Sequence, residues 1–329
     1  MNKSALCLLL TLLLAGPAAA VTLKIATLSP DGTSWMRTMR AAGDELERRT
    51  DGRVELRFYP GGVMGNDKSV MRKLRIGQLQ GGMVTVGALA DTNRDIQVYG
   101  IPFLFRSLGE VDFVRRRMDA ELLAELEKDG FVSFGFGEAG FAYLMSKHAV
   151  ATVEDVKHRK VWAPEGDRIS LAAMKALDIS PVSLPLTDVL TGLETGLIDT
   201  VASPPVGAIA LQWHTRVRYL TDVPLLYAYG ILVIENKAFE RLRPNDQALT
   251  REILASAFER INRQIRRDNE EAKAALARQG IAVIEPPRQD LEKWRDKVHQ
   301  AIRKLEADGF FSPPTVAKVR RLLAQYRKR

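Results

Sequence analysis

From Asp246 to Gln279 the chain runs for about nine helical turns without a proline or a glycine, opened by Pro244-Asn245 and closed by Gly280. Ile253, Leu254, Ala257, Phe258, Ile261 and Ile265 recur at helical spacing and mark one apolar stripe. A helix of this size is ~50 Å long, about the span of two small lobes. It predicts a fold in which one rod braces two bodies.

The residues before the rod read as α/β punctuation. Val21 to Leu28 alternates as a buried strand, Ser29-Pro30-Asp31-Gly32 turns, and Thr33 can cap a helix to about Arg49. Val54 to Tyr59 is a second strand, Asp67 to Ile76 a helix stopped by Gly77, and Gly82 to Val86 a third strand. The order β-α-β-α-β implies a largely parallel sheet with helices on both faces. A second part repeats the grammar, with short strands at Phe131 to Phe136, Lys160 to Trp162, Pro181 to Leu184 and Leu197 to Val201, and a helix at Arg168 to Leu177. Ser69 to Leu79 and Thr187 to Ile198 both read helix, glycine stop, strand. This is either a sign of two lobes of similar build or ordinary α/β punctuation. After the rod come a strand at Ile281 to Ile284 and two charged helices, Gln289 to Asp308 and Pro314 to Tyr326.

The first residues point outside the cytoplasm. Lys3, a leucine-rich run from Ala5 to Ala15 and Ala18-Ala19-Ala20 read as a signal peptide over 1–20, cleaved near Ala20. The apolar run is too short to span a membrane, and no later stretch is long enough, so a soluble, periplasmic product is expected. The one cysteine, Cys7, falls within the leader, which excludes disulfides, thiol nucleophiles and cysteine metal sites from the mature chain. The net charge of +8 does not point to nucleic acid, because many basic residues lie at helical spacing among acids, as from Arg263 to Glu271. There is no Gly-x-Ser-x-Gly elbow, no His-Glu-x-x-His and no phosphate loop, and His148, His158, His214 and His299 are scattered without ligand spacing. No enzyme, cofactor or metal is expected.

Taken in order, Ser34-Trp35, Gly52-Arg53-Val54, Tyr59 to Gly65, Ile101-Pro102-Phe103-Leu104-Phe105, Val153 to Lys157 and Leu193 to Asp199 resemble the DctP-type solute-binding proteins of tripartite ATP-independent periplasmic (TRAP) transporters. The resemblance covers essentially the whole mature chain. It implies a two-lobed α/β fold with a long helix bridging both lobes, and a ligand held in the cleft between them. The expected division is lobe I from 21–143 plus about 225–258, and lobe II from 144–224 plus about 259–329. The implied partners are a small-molecule ligand and the small and large integral-membrane permease subunits. A second reading is a ligand-sensing or envelope interaction protein on the same fold, without transport.

Strand ends in open α/β sheets collect ligands, which places Thr85, Trp162 and Ser203 at the cleft. The family grips a carboxylate with an arginine in a strand of the second lobe, and the matching stretch here is Lys160-Val161-Trp162-Ala163-Pro164. Trp162 stands in the arginine's place. A second arginine often follows a glycine by two positions, where this chain has Ala142 after Gly140, and Ser203 replaces an asparagine before proline. A buried carboxylate would lack its usual charge partner at high cost. The expected ligand is therefore neutral, aromatic or apolar, or cationic. Glu165 and Asp167 could serve a cation beside the Trp162 ring, with Phe136, Phe141, Tyr227 and Tyr229 lining the rest. Trp162 could instead fill the core, and Asp167 could instead cap the helix from Arg168. Trp35 reads as core. Gln212 and Trp213, on a helix after Pro205, could face the cleft or pack between lobes. Arg168 or Arg94 could swing in and restore an anion site.

Overall fold

The computed structural model describes residues 20–329, so the expected leader, apart from Ala20 itself, lies outside the described residues. β1 (Val21–Thr27), α1 (Ser34–Arg49), β2 (Val54–Tyr59), α2 (Asp67–Arg75) and β3 (Gly81–Thr85) form the unit read from the sequence. Thr33 caps α1 by accepting the Met36 N–H, and Asn66 caps α2 by accepting the Ser69 N–H. β1 pairs in parallel with both β2 and β3.

Beyond β3 the sheet is mixed, not largely parallel as expected. The next elements are α3 (Leu108–Lys128), β4 (Phe131–Ser146), α4 (Val153–Lys157), β5 (Trp162–Pro164), α5 (Arg168–Ala176), β6 (Val182–Leu184), α6 (Val189–Thr195), β7 (Thr200–Ser203), α7 (Pro205–Ala210) and β8 (Tyr219–Glu235). The chain closes with α8 (Asn236–Phe239), α9 (Pro244–Arg278), β9 (Ala282–Ile284), α10 (Arg288–Ala307) and α11 (Pro313–Arg327). β3 pairs antiparallel with β8, β8 with β4, and β4 with β7, giving the order β2-β1-β3-β8-β4-β7 with β9 parallel beside β8. β5 and β6 make a separate parallel pair.

The difference comes from β4 and β8, of 16 and 17 residues. At ~3.3 Å per residue each extends roughly 50 Å and passes through both lobes. Neither shows a clean alternation. β4 carries Gly135, Gly137 and Gly140, β8 carries Pro224, and both are largely buried. Their mutual register shifts between Ser133 and Phe136, between Glu138 and Gly140, and between Ala142 and Leu144. Such bulges bend and twist a ladder locally.

α9 is the expected brace, and it packs on α1, β4 and α7. Its first half joins a core with β1 and α1 through Ile253, Leu254, Ala257, Phe258 and Ile261. Its far end puts Leu276 into another core with Trp162, Leu193 and Val201. The fold is thus α/β in two lobes sharing one long helix. α10 packs on α5 and α11 on α3, so the last two helices attach to different halves of the division expected from sequence.

Candidate ligand-binding cleft

Between the lobes lies a cavity of about 1070 Å³. The strand ends anticipated from α/β geometry all reach it: Leu28 and Ser29 after β1, Thr85 at the end of β3, Val161 and Trp162 at β5, and Ala202 and Ser203 at the end of β7. Ala142 and Leu226, paired neighbours on β4 and β8, line it too.

Trp162 is 4% exposed. Its indole N–H donates to the Leu184 carbonyl at 2.9 Å, and its ring meets Trp213 edge to face with centroids 5.2 Å apart. Both indoles line the cavity, so for Trp162 the core reading and the cleft reading coincide: it is a core residue whose surface forms a wall. Ser203 is buried, and its hydroxyl donates to the Pro204 carbonyl. Glu165 is exposed at the rim. Asp167 caps α5, accepting the Ile169 and Ser170 N–H groups at 3.1 and 3.0 Å, and it borders the cavity as well.

Tyr227 and Tyr229 stack, with centroids 5.6 Å apart, and both line the cavity. Their hydroxyls are already used. Tyr229 donates to the Ile96 carbonyl, and Tyr227 accepts from the Arg115 guanidinium at 2.8 Å. Burial pushes both phenols well above their usual range. Both offer ring surface to a ligand, and the Tyr229 proton is already committed.

Phe141, Gln212 and Phe136 do not reach the cavity. Phe141 alternates with Ala142 along β4, and its ring packs edge-on against Tyr227 at 6.0 Å. Gln212 lies past the end of α7, exposed and at φ 60°, not on a helix as expected. Phe136 is fully buried beside the Arg115 guanidinium. Arg168 and Arg94, the cations that could restore an anion site, lie elsewhere in this structure. Neither lines the cavity, and their guanidinium carbons lie 5.0 and 5.9 Å from the Phe310 ring centroid.

Among the described residues, the cations that border the cavity are Arg37, Lys68 and Arg75, and each is exposed. The buried Glu138 on its wall is neutralised by Arg266 from α9, which also holds Asp112. No grouping of three or more His, Cys, Asp or Glu could hold a metal among the described residues, and no helix among them is long and apolar enough to cross a membrane.

Sequence reasoning missed a further set of residues. Among the described residues, six buried side-chain polar atoms lack a hydrogen-bond partner, and four of them belong to residues that line the cavity: Trp35 Nε1, Asp67 Oδ1, Gln97 Nε2 and Trp294 Nε1. Buried polar groups are almost always paired, and each orphan costs ~1–3 kcal/mol. Asp67 is half-buried as a residue, yet its Oδ1 is sealed from water. Its Oδ2 accepts both the N–H and the hydroxyl of Thr85, at 3.2 and 2.6 Å. Burial still raises the Asp67 carboxyl above its usual range. In the sequence Asp67 reads only as an acid in a helix's first turn, which is common for helix stability alone.

Two α/β lobes, a shared ribbon and a cavity at the strand ends define a protein built to enclose a small molecule. Residues 25–308 match the model of the bacterial extracellular solute-binding proteins, family 7 (DctP), and the chain belongs to that family. The resemblance to TRAP solute-binding proteins drawn from the sequence therefore holds. The chain is 27% identical over 306 residues to an uncharacterized protein of Haemophilus influenzae, covering 89% of each. It is 25% identical over 246 residues to the 2,3-diketo-L-gulonate-binding periplasmic protein YiaO of Escherichia coli, covering 73% of this chain and 74% of that one. The sugar acid binding protein of Advenella mimigardefordensis, solved in complex with galactonate, superposes with a TM-score of 0.86 at 20% identity, covering 93% of this chain and 99% of that one.

Proposed function

We propose that this protein, exported and cleaved near Ala20, captures a neutral, apolar or cationic small molecule between its lobes. It delivers that molecule to the small and large subunits of a membrane permease, and binds it without converting it chemically. The carrying observation is the wall of the cleft. Where relatives of this family hold a carboxylate with arginine, the cavity presents the Trp162 indole and the Ala142 methyl, and the cations that border it are exposed. A carboxylate taken into that interior meets no buried cation, an unfavourable exchange for its hydration. Galactonate and 2,3-diketo-L-gulonate, which the named relatives bind, are the ligands this wall fits least.

We place lobe I at 21–143 plus about 225–258 and lobe II at 144–224 plus about 259–329, with the final helix, α11, returning to pack on α3 of lobe I. The crossings then fall within β4, β8 and α9. The shifted register of β4 against β8 supports a hinge there, and closure about it would shut the lobes over the ligand.

The test is mass spectrometry of small molecules released from the purified protein, joined to a thermal-shift screen, since a ligand that binds only the folded state raises Tm. The expected result is stabilisation by neutral aromatic or cationic solutes and none by sugar acids. Stabilisation by galactonate or a C4-dicarboxylate that persists in Trp162→Ala would overturn the reading.

A further inference from the structure

The cavity is not confined to the cleft. Ile169 and Ala173 of α5, and Trp294 and Val298 of α10, line the same space as Thr85 and Asp67 from lobe I. α5 and α10 pack against each other, and side chains of both line this annex of the cavity. This annex continues along Val156, Leu177 and Ile179, which are 4, 8 and 6% exposed. The side chains that enclose it are almost all aliphatic or aromatic. A sugar acid, hydroxylated along its length, has no partner in such a compartment, whereas an alkyl chain or ring sheds water there at a gain.

Three of the orphaned polar atoms, on Trp35, Asp67 and Gln97, belong to lobe I, and the fourth, on Trp294, belongs to α10. Asp67 Oδ1 is the one acceptor of the four, and Asp67 sits with Thr85 in lobe I. The other three are donors: the Trp35 and Trp294 indole N–H groups and the Gln97 amide. Trp294 belongs to α10 at the annex end, and its N–H is its sole polar atom. An apolar chamber lined by α5 and α10, and the Asp67 carboxylate with its Thr85 partner in the opposite lobe, border one cavity and together describe an amphiphile.

Resting on the ligand class proposed above, we infer that the bound solute is amphipathic. Its donor-bearing head, a hydroxyl or an ammonium, meets Asp67 and Thr85, and its apolar chain or ring enters the annex between α5 and α10. Trp162 then forms the side of the passage between the two ends, which accounts for an indole where a shorter ligand would call for a charge.

The experiment uses the full mature protein and homologous series of straight-chain 1-alkanols, alkylamines and alkanoates from four to ten carbons, with affinity read by calorimetry. For alkanols and alkylamines, affinity is expected to rise about three- to fourfold with each added methylene until the annex is full. Alkanoates of equal length are expected to bind more weakly, and Asp67→Asn to narrow that gap. Ala173→Phe fills the annex, so it is expected to abolish the chain-length dependence. Should that variant fail to fold, Ala173→Leu is expected to make affinity level off at a shorter chain.

Affinity that is flat with chain length, or a slope unchanged in a folded Ala173 variant, overturns the annex. Alkanoates binding as tightly as amines overturns the role of Asp67. The failures separate from that of the ligand class. Tight galactonate binding sinks the parent reading, whereas tight binding of a short neutral or cationic solute such as indole or benzylamine, with no gain from chain length, sinks only this inference.

Discussion

Gly140 lies on β4 between two of the register shifts, at φ 107°. A Cβ there would stand 2.5 Å from Asn269 Nδ2 on α9. Gly140→Ala therefore incurs two costs. A side chain at such a φ costs ~1–3 kcal/mol. The methyl also displaces an amide that donates to the Ala139 and Ile265 carbonyls at 2.8 and 3.0 Å and accepts the Val206 N–H at 3.2 Å. Each bond is worth ~0.5–1.5 kcal/mol, and their partial loss brings the total to about 2–6 kcal/mol. An unfolding entropy of ~2.1 cal/mol/K per residue over roughly 300 residues converts this to a Tm loss of about 3–10 °C. Calorimetric melting of the apo protein measures it. Gly166→Ala is the control: its φ is 81°, but nothing lies within 4 Å of the added Cβ, so only the backbone term remains. Asn269→Ala combined with Gly140→Ala should cost less than the sum of the two, because the clash vanishes with the amide. A Tm loss for Gly140→Ala no larger than for Gly166→Ala would refute the steric reasoning.

Three further outcomes follow from the cleft and its supports. Trp162→Ala removes a buried indole packed on Trp213, so stability should fall by ~3–5 kcal/mol in chemical denaturation, and ligand protection should be lost with it. Arg266→Met leaves the Glu138 carboxylate, whose side chain is 0% exposed, without its cation. This should cost ~3–5 kcal/mol, and adding Glu138→Gln should restore most of the loss in the same denaturation assay. Asp67 gives a pH signature. Its folded pKa is raised by burial, so the stability it contributes is full below the unfolded value and lost as pH rises through the folded one. Asp67→Asn should therefore raise apo Tm at neutral pH, and the advantage should shrink toward pH 3. A constant difference across that range would show that charge is not the cause.

Much of the fold was legible because short-range chemistry dictates it. Thr33 and Gly77 bound their helices as their side chains, or lack of one, require, and the rod from Pro244 has no residue that could break it. The strand pair that joins the lobes was not legible. β8 contains Pro224 and shows no alternation, and β4 was read only as far as Phe136, because glycines that permit bulges look like strand breakers in a one-dimensional pattern. The cleft was half legible. Trp162, Ala142 and Ser203 could be placed by strand ends and by resemblance, whereas Trp294 reaches the cavity from a helix more than a hundred residues away. Phe141 fell on the wrong side because it adjoins Ala142 in unbroken register, and neighbouring residues of a strand take opposite faces. Asp67 could not be singled out, since what distinguishes it is an oxygen without a neighbour, and a sequence does not record an absence in space.

The continuous ladder of β4 and β8 also sets the mechanics of the molecule. Lobes tied by loose linkers turn as if on a pin, with little resistance until they collide. Here the tie is a hydrogen-bonded ribbon braced along one side by α9, closer to a leaf spring. Its bulges supply compliance at chosen points, and its paired backbone supplies a restoring force. If the lobes close as proposed, part of what a ligand gains would be stored as curvature, and that tension would work toward opening once the ligand's grip is relieved. Stiffening a bulge should then slow capture and hasten discharge, making the residence time of the cargo a property of the sheet as much as of the residues that touch it.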